Sequence, residues 1–299
     1  MKVRQESPTL FCPVGEARHH AALQQTCEHA SRAACLVELL AVVEEPSAWD
    51  RLAHSDHAET VERDRQRTWT NTVARWANEF DEVTKAEVRI GATARTIVEY
   101  AQEIGAGTIV LSMAHGRQEL DVAKRVMRLT TTPVWVIRPT RAEERRILVA
   151  VNPEVDELDL NLKIMSCASR LADALDADLV LMTAWELYGE QTTRRAAFLK
   201  APVPQFHDLF DLREGISRRG LKELVTASPN PDAWTLHLEN GPPAPSILRA
   251  IRQHRSNLVV MGTVGRSGLS GLLMGNTAEY VLDGARCSVY AVRGESASR

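Results

Sequence analysis

The sequence lacks the segments that would place it in a membrane, in a disulfide-rich secreted fold or in a zinc-binding class. It has no run of about 18 apolar residues, so we expect no transmembrane helix. Its N-terminus has no apolar core of signal-peptide length. The five cysteines form no Cys-x-x-Cys pair, so neither a disulfide framework nor a zinc cage is indicated. We therefore expect free thiols and a cytoplasmic protein.

Strong charge and hydrolytic motifs are also missing. The formal net charge of -3 at pH 7 argues against nucleic acid or an acidic membrane as a partner. The chain has no Gly-x-Ser-x-Gly elbow, no His-Glu-x-x-His motif and no Ser-His-Asp order. The histidines have no metal-ligand spacing, so we predict that these five are solvated: His19, His20, His29, His54 and His57. These absences favour a binding protein over an enzyme and leave weak hydrolysis of a bound ligand open.

What the sequence does contain is one α/β pattern written twice. Its 299 residues suit two domains of about 150 residues. In both halves, apolar runs of strand length alternate with helical stretches, which is typical of a parallel sheet with helices on both faces. The segment Val110–Arg117 aligns with Val259–Arg266, and a polar linker covers 139–144. We therefore predict a domain over 1–140 and a second over 145–294.

The predicted elements follow the same order in the two halves. In the first half, the strands are Thr9–Val14, Leu36–Val43, Ala86–Ile90, Thr108–Met113 and Pro133–Ile137, and the helices cover about 17–34, 59–80 and 94–103. In the second half, the strands are Arg146–Val151, Asp178–Trp185, Trp234–Leu238, Asn257–Met261 and Ser288–Val292, and the helices cover 160–175, 212–226 and 246–254. An irregular insert over 186–211 carries three phenylalanines. It could cover the domain interface or line an apolar cavity beside the glycine-rich loop of the second half. Trp185, at the end of the second strand, could line a ligand cleft, but we predict that it is a buried wall.

A glycine-rich segment, Met261–Glu279, is the most informative part of the chain. It begins at the carboxyl end of a predicted strand, where open α/β sheets place their ligands. Gly262 and Gly265 permit positive φ and a close approach of backbone to ligand. Gly275 precedes a predicted helix, whose first-turn N–H groups attract anions. This spacing favours a phosphate chain, although it is not a Walker loop because no Gly-Lys-Ser/Thr follows.

A purely structural interpretation of the same segment stays open. Asn276-Thr277-Ala278-Glu279 is close to a capping box, in which the Asn276 side chain would occupy the helix N–H groups. An interaction scaffold with a structural loop is therefore one alternative function. A carrier of a small apolar or nucleotide-sugar ligand is another, because of the phenylalanine-rich insert. Arg266 beside the loop would either pair with phosphate oxygens or be a solvated or salt-bridged residue.

The glycine spacing and the strand order resemble the ATP-binding universal stress proteins, and the fused arrangement is most similar to the tandem E-type members of that family. The resemblance implies sheets with strand order 3-2-1-4-5, two domains about a pseudo-two-fold axis, and ATP or a related adenine nucleotide, with or without Mg²⁺, as ligand. The family usually has Asp where this chain has Asn152. The nucleotide-binding positions implied are Asn152, Ala184, Met261, Gly262, Gly265, Arg266, Gly275, Asn276 and Thr277.

The first half has lost this segment. From Gly116 to Pro133 is 17 positions, whereas from Gly265 to the matching Ser288 is 23, so six residues are missing. The remainder, 118–129, reads as a charged helical turn. We therefore expect no nucleotide in the first domain, which would act as an intramolecular packing partner. Whether the fused pair forms a further homodimer stays open.

Overall fold

The structure, a computed structural model, describes residues 7–15, 19–45, 49, 55–113, 116–138, 145–153, 158–187, 204–263 and 274–294, with only the main chain described at 55–58 and 204–207. By packing, the chain divides into two compact units. The first comprises 1–141, 266–274 and 286–299, and the second comprises 142–265 and 275–285.

Within its described residues, the first half of the chain alternates five strands with four helices. The strands are β1 (Thr9–Val14), β2 (Val37–Val43), β3 (Val83–Ile90), β4 (Thr108–Met113) and β5 (Val134–Ile137). The helices are α1 (His20–Arg32), α2 (Ser55–Glu79), α3 (Thr93–Glu103) and α4 (Arg117–Leu129). β1, β2, β4 and β5 are buried along nearly their whole length, as expected for strands covered on both faces.

The second half repeats that order. Its strands are β6 (Arg146–Ala150), β7 (Asp178–Trp185), β8 (Trp234–Asn240), β9 (Leu258–Gly262) and β10 (Ser288–Val292). Its helices are α5 (Leu158–Leu175), α6 (Pro204–Thr226), α7 (Pro243–Gln253) and α8 (Asn276–Gly284), with a short 3₁₀ turn at Pro231–Ala233.

Each unit is built on a sheet of mainly parallel strands. In the first unit the order is β3-β2-β1-β4-β5, followed by β10, which pairs with β5 in the antiparallel sense. In the second unit the order is β8-β7-β6-β9, all parallel. Each sheet thus has its first strand next to its fourth, which creates a switch point at the carboxyl edge between β1 and β4 and between β6 and β9.

The predicted strands agree with the observed ones to within about a residue, except for β3 and β8. β3 begins three residues earlier than predicted, and β8 extends two residues further. The prediction of an irregular segment over 186–211 is wrong in its last third, because α6 already begins at Pro204. The segment after Gly116 is a regular helix of 13 residues rather than a charged turn.

The cysteines are free and buried, as expected for small apolar side chains in a core. Burial raises the pKa of the Cys27 thiol to about 12 and raises that of Cys12 as well, so both stay protonated. The prediction of solvated histidines is wrong for His19, which is 3% exposed. His54 lies outside the described residues, and so does the side chain of His57. Among the helices that the structure describes, none has the length and apolar character needed to cross a membrane.

Candidate functional site

The strands of the second unit bring the predicted site to one edge of the sheet. Ala150 pairs with Met182 on one side and with Met261 on the other. Two residues further along these strands, Asn152, Ala184 and Thr263 reach the same carboxyl edge. This edge is the switch point of the second unit, where parallel sheets bind ligands.

Asn152 is held at this edge by a buried amide that the sequence did not single out. Asn161 of α5 is 1% exposed. Its Oδ1 accepts a hydrogen bond from the Asn152 main-chain N–H at 3.3 Å, and its Nδ2 donates to the Asn152 carbonyl. These two hydrogen bonds hold the Asn152 main chain just beyond the end of β6, as a neighbouring strand would. They thereby fix the backbone that carries the Asn152 side chain. The signal in the sequence was an Asn on an otherwise apolar helix face, about one turn after the helix begins.

Gly262 has a different role from the predicted one. The backbone at this last residue of β9 is not in the left-handed region. A Cβ at this position would lie 3.3 Å from Leu160 Cδ2 and 3.4 Å from Ile164 Cδ1. The glycine therefore allows α5 to pack closely on β9. Its neighbour Met261 is 4% exposed and points into the core.

The start of α8 is fixed to the end of β9. The Gly275 main-chain N–H donates to the Thr263 carbonyl at 2.7 Å. Gly275 itself has φ -69° and ψ 145°, an extended conformation open to any residue, and it is the N-cap of the nine-residue helix. The first turn of α8 is thereby directed at the same edge as Asn152.

The capping-box alternative does not describe this helix start. Asn276 is the first residue of α8, not its cap, and its side chain is exposed. Among the residues that the structure describes, no main-chain carbonyl accepts a hydrogen bond from the main-chain N–H groups of Asn276, Thr277 and Ala278. Such unpaired first-turn groups carry the positive end of the helix dipole.

Two of the predicted positions, Gly265 and Arg266, lie outside the described residues. Thr263, which the sequence did not single out, is the last described residue before them and is 4% exposed. Its Oγ1 is buried without a hydrogen-bond partner within the described part of the chain. On either side of positions 264–273, the nearest described hydroxyls along the chain are those of Thr263 and Thr277. A Thr directly after a strand-ending Gly was the signal available in the sequence.

Beside the outer strands of the second unit, Trp185 packs edge-on against Phe210, with ring centroids 4.6 Å apart. Trp185 is 4% exposed, which confirms the prediction of a buried wall. The two rings line a cavity of about 280 Å³ together with residues of β8. Phe210 is thus one phenylalanine of the insert that contacts the core.

The corresponding edge of the first unit is closed by a carboxylate. The Gly116 main-chain N–H, at the N-cap of α4, donates to Glu119 Oε2 at 3.1 Å. Gly15, just after β1, has φ +80°, and a Cβ there would collide with the Glu119 carboxylate. Glu119 therefore lies over the end of β1 and satisfies the helix start from within the chain.

The comparisons with known proteins agree on one family. The sequence profile of the universal stress protein family matches residues 9–138 and, a second time, residues 144–293. Universal stress protein E of Escherichia coli strain K12 is 26% identical over 220 residues, which is 69% of this chain and 68% of that protein. Universal stress protein E of Salmonella typhi is 28% identical over 205 residues, 64% of this chain. This match spans 63% of the Salmonella protein, slightly less than two thirds of its length.

A solved structure supports the fold independently of these sequence matches. The crystal structure of a universal stress protein from Archaeoglobus fulgidus covers 96% of this chain and is itself covered to 96%. Its TM-score is 0.64 at 15% sequence identity. This likeness concerns the fold alone.

Proposed function

Because the chain belongs to the universal stress protein family, a family of stress-response proteins, we propose that its second domain, over 145–294, binds ATP or a related adenine nucleotide. The first domain, over 1–140, then serves as its structural partner. The observation that carries this proposal is the helix start fixed at the switch point of the second unit by the Gly275–Thr263 hydrogen bond. Its first-turn N–H groups have no main-chain acceptor within the described part of the chain.

The phosphate end of the ligand belongs at the first turn of α8. The N–H groups of Asn276, Thr277 and Ala278 supply donors without a net charge, and the helix dipole adds a partial positive charge. Gly265 and Arg266 would complete this end from the other side of the loop, with Arg266 pairing with phosphate oxygens. Any Mg²⁺ would be held by the phosphates, since no group of three potential metal ligands occurs within the described ranges.

The adenine end belongs at Asn152 and Ala184. A carboxamide offers both an acceptor oxygen and a donor amide, so Asn152 can pair with an adenine edge without a charge. Ala184 is small enough to leave room for the ring. None of the site side chains named at this edge titrates near neutral pH, so no general base is at hand. The proposal is therefore binding without efficient hydrolysis.

Isothermal titration of the full chain with ATP and Mg²⁺ tests the proposal. We expect a saturable heat signal at protein concentrations of about 100 μM, a level that detects weak sites. Gly275→Val should abolish binding while leaving thermal unfolding little changed, because φ -69° suits Val and the added side chain blocks the approach to α8. Gly215→Val is the control, since a Cβ there meets no atom within 4 Å. No heat with the unaltered chain, or normal binding by Gly275→Val, would contradict the assignment.

The cavity beside Trp185 and Phe210 favours a second candidate, a carrier of a small apolar or nucleotide-sugar ligand. Its volume of about 280 Å³ is at the lower end of ligand pockets. Native mass spectrometry of the purified chain separates the candidates. A co-purified mass that fits an adenine nucleotide supports nucleotide binding, and a mass of another ligand class supports the carrier. A chain that carries no ligand and does not bind added ATP supports an interaction scaffold.

A further inference from the structure

The first unit, to which the nucleotide proposal assigns only a structural role, contains a cavity of about 1170 Å³. It opens at the carboxyl ends of β1 and β2 and is walled by α2 and by the start of α4. Pockets that take drug-sized ligands measure about 300–1,000 Å³. The shortened loop of this half therefore leaves a large cavity, which the sequence did not indicate.

The inner end of this cavity is unsuited to an anion. The Glu119 carboxylate already accepts the Gly116 N–H at the start of α4 and lies over Gly15. A phosphate or carboxylate approaching that helix would meet a fixed negative charge. Glu119 thus makes the helix start of the first unit less favourable for an anion than an uncharged helix start would be.

His19 adds no positive charge at this end. Its Nε2 donates to the Gly15 carbonyl at 3.3 Å, and its Nδ1 lies 2.9 Å from Ser112 Oγ, so the neutral ring accepts from the Ser112 hydroxyl. Burial lowers the pKa of His19, although the bond to Gly15 acts in the opposite direction. His19 therefore contributes a neutral ring, and no positive charge, to the cavity wall.

Aromatic and aliphatic side chains form the remaining walls. Trp69 and Trp76 of α2 stand edge to face, with ring centroids 6.3 Å apart, and His19 lies 6.0 Å from Trp69. Val14 and Val43, at the ends of β1 and β2, line the cavity opposite the indoles. Three exposed arginines also line the cavity: Arg65, Arg75 and Arg117. The aromatic and aliphatic wall recognises a flat ring through stacking and burial of apolar surface.

We propose that the first unit binds an uncharged, flat aromatic small molecule in this cavity, independently of any nucleotide in the second unit. The two indoles hold the ring, and Glu119 at the start of α4 excludes anionic analogues. The two halves of the chain would then select ligands of opposite character at equivalent edges of their sheets.

A matched pair of fluorescent probes tests the charge selection on the unaltered full chain. N-phenyl-1-naphthylamine is neutral, and 1-anilinonaphthalene-8-sulfonate has the same ring skeleton with a sulfonate. We expect saturable binding of one neutral probe per chain, at least about tenfold tighter than the anionic probe, a difference of about 1.4 kcal/mol. Equal affinity for the two probes, or no saturable binding of the neutral one, would overturn the proposal.

Two variants of α2 test whether the neutral probe binds in this cavity. Thr72 lines the cavity and Thr70 does not, yet each hydroxyl donates to the carbonyl four residues earlier at 2.8 Å. Thr72→Trp should place an indole inside the cavity and weaken the neutral probe by about tenfold or more, while Thr70→Trp leaves binding within about twofold. Equal affinities of the two variants, each with a wild-type circular dichroism spectrum, would contradict the location.

The same probes distinguish this proposal from the nucleotide proposal. Gly275→Val should bind the neutral probe like the unaltered chain, and millimolar ATP should not displace it. Glu119→Gln should strengthen the anionic probe several-fold and leave the neutral one nearly unchanged, because it removes the repelling charge. Displacement by ATP would mean that the cavity is a nucleotide site, and would refute the first-unit proposal while leaving nucleotide binding intact.

Discussion

At the scale of single residues, the amide of Asn161 is the part of the site most sensitive to substitution. Its two hydrogen bonds satisfy the main-chain N–H and carbonyl of Asn152, which would otherwise lie part-buried and unpaired. Asn161→Leu keeps the side-chain size but removes both bonds. We expect the free energy of unfolding to fall by about 2–4 kcal/mol, because unsatisfied buried groups cost about 1–3 kcal/mol each. Urea unfolding followed by circular dichroism measures this.

Asn161→Leu should disturb the nucleotide site more than it disturbs the rest of β6. Asn257 Oδ1 accepts a hydrogen bond from the Arg146 N–H at 3.1 Å, at the opposite end of β6. Asn257→Ala is thus a control that loosens the same strand far from the carboxyl edge. Asn161→Leu should weaken ATP binding and Asn257→Ala should not. Equal effects of the two variants on affinity would mean that Asn161 acts only on global stability.

Buried His19 makes the first unit sensitive to acid. Its pKa in the folded protein lies below the ordinary value of 6.5, chiefly because burial disfavours the charged ring. The folded state therefore keeps its full stability above pH 6.5 and loses stability as the pH falls below 6.5 toward the lowered pKa, because the unfolded chain binds the proton first. We expect the unfolding temperature to drop between pH 7.5 and 5.5, and His19→Gln to reduce that drop.

Exposed His20 is the control for this pH dependence. It pairs with Glu79 at the protein surface, where solvent screens the interaction. His20→Gln should leave the slope of unfolding temperature against pH almost unchanged. His254 of the second unit also has a lowered pKa, because of burial and the nearby His237 and Arg146, so some slope should remain in His19→Gln. An unaltered slope in His19→Gln would contradict the assignment.

At the scale of helices and strands, the sequence predicted what depends on local pattern. The fully apolar strands were found almost to the residue, because burial on both faces leaves a continuous apolar run. The start of α6 was missed because the phenylalanine- and proline-rich insert hides the helical period. Yet Pro204 is the first residue of α6, a position where proline is favoured. The packing of Gly262 on α5 was missed because it depends on a partner distant in sequence.

The contact between β9 and α5 provides a test of that revised role. Gly262→Ala would place a methyl group 3.3 Å from Leu160 Cδ2, tight but adjustable by a small shift of a flexible side chain. We expect a loss of about 1 kcal/mol in unfolding free energy and little change in ATP affinity. Gly262→Leu should cost more. Urea unfolding and calorimetric titration of the same variants separate the two effects.

A double substitution makes the packing argument specific. Leu160→Ala removes the nearest atom that an alanine at 262 would meet and leaves Ile164 Cδ1 at 3.4 Å. The two substitutions should therefore couple, with the pair costing less than the sum of the single changes. Strict additivity would mean that Gly262 does not pack on Leu160. A large loss of ATP binding in Gly262→Ala would instead restore the ligand-approach role that the glycine spacing first suggested.

At the scale of the whole molecule, the chain closes the first unit with its last strand. β10 pairs antiparallel with β5, with Tyr290 opposite Trp135. The Tyr290 hydroxyl lies 3.1 Å from Thr108 Oγ1, and the Ser288 hydroxyl accepts from the Arg138 N–H at 3.1 Å. Burial of the strands could be expected from the repeated pattern, and a strand order only from the family resemblance. This pairing joins residues about half a chain apart, which no local pattern reports.

The last strand should therefore stabilise elements encoded in the first half of the chain. Tyr290 is 5% exposed, and Tyr290→Ala would leave a cavity against Trp135 at a cost of about 3–5 kcal/mol. Hydrogen exchange followed by mass spectrometry should show faster exchange in β4 and β5, while β7 and β8 keep their protection. Tyr290→Phe, which loses only the hydroxyl, should show a much smaller change. If Tyr290→Ala instead loosened β7 and β8 and left β4 and β5 protected, the closing strand would have to be assigned to the second unit.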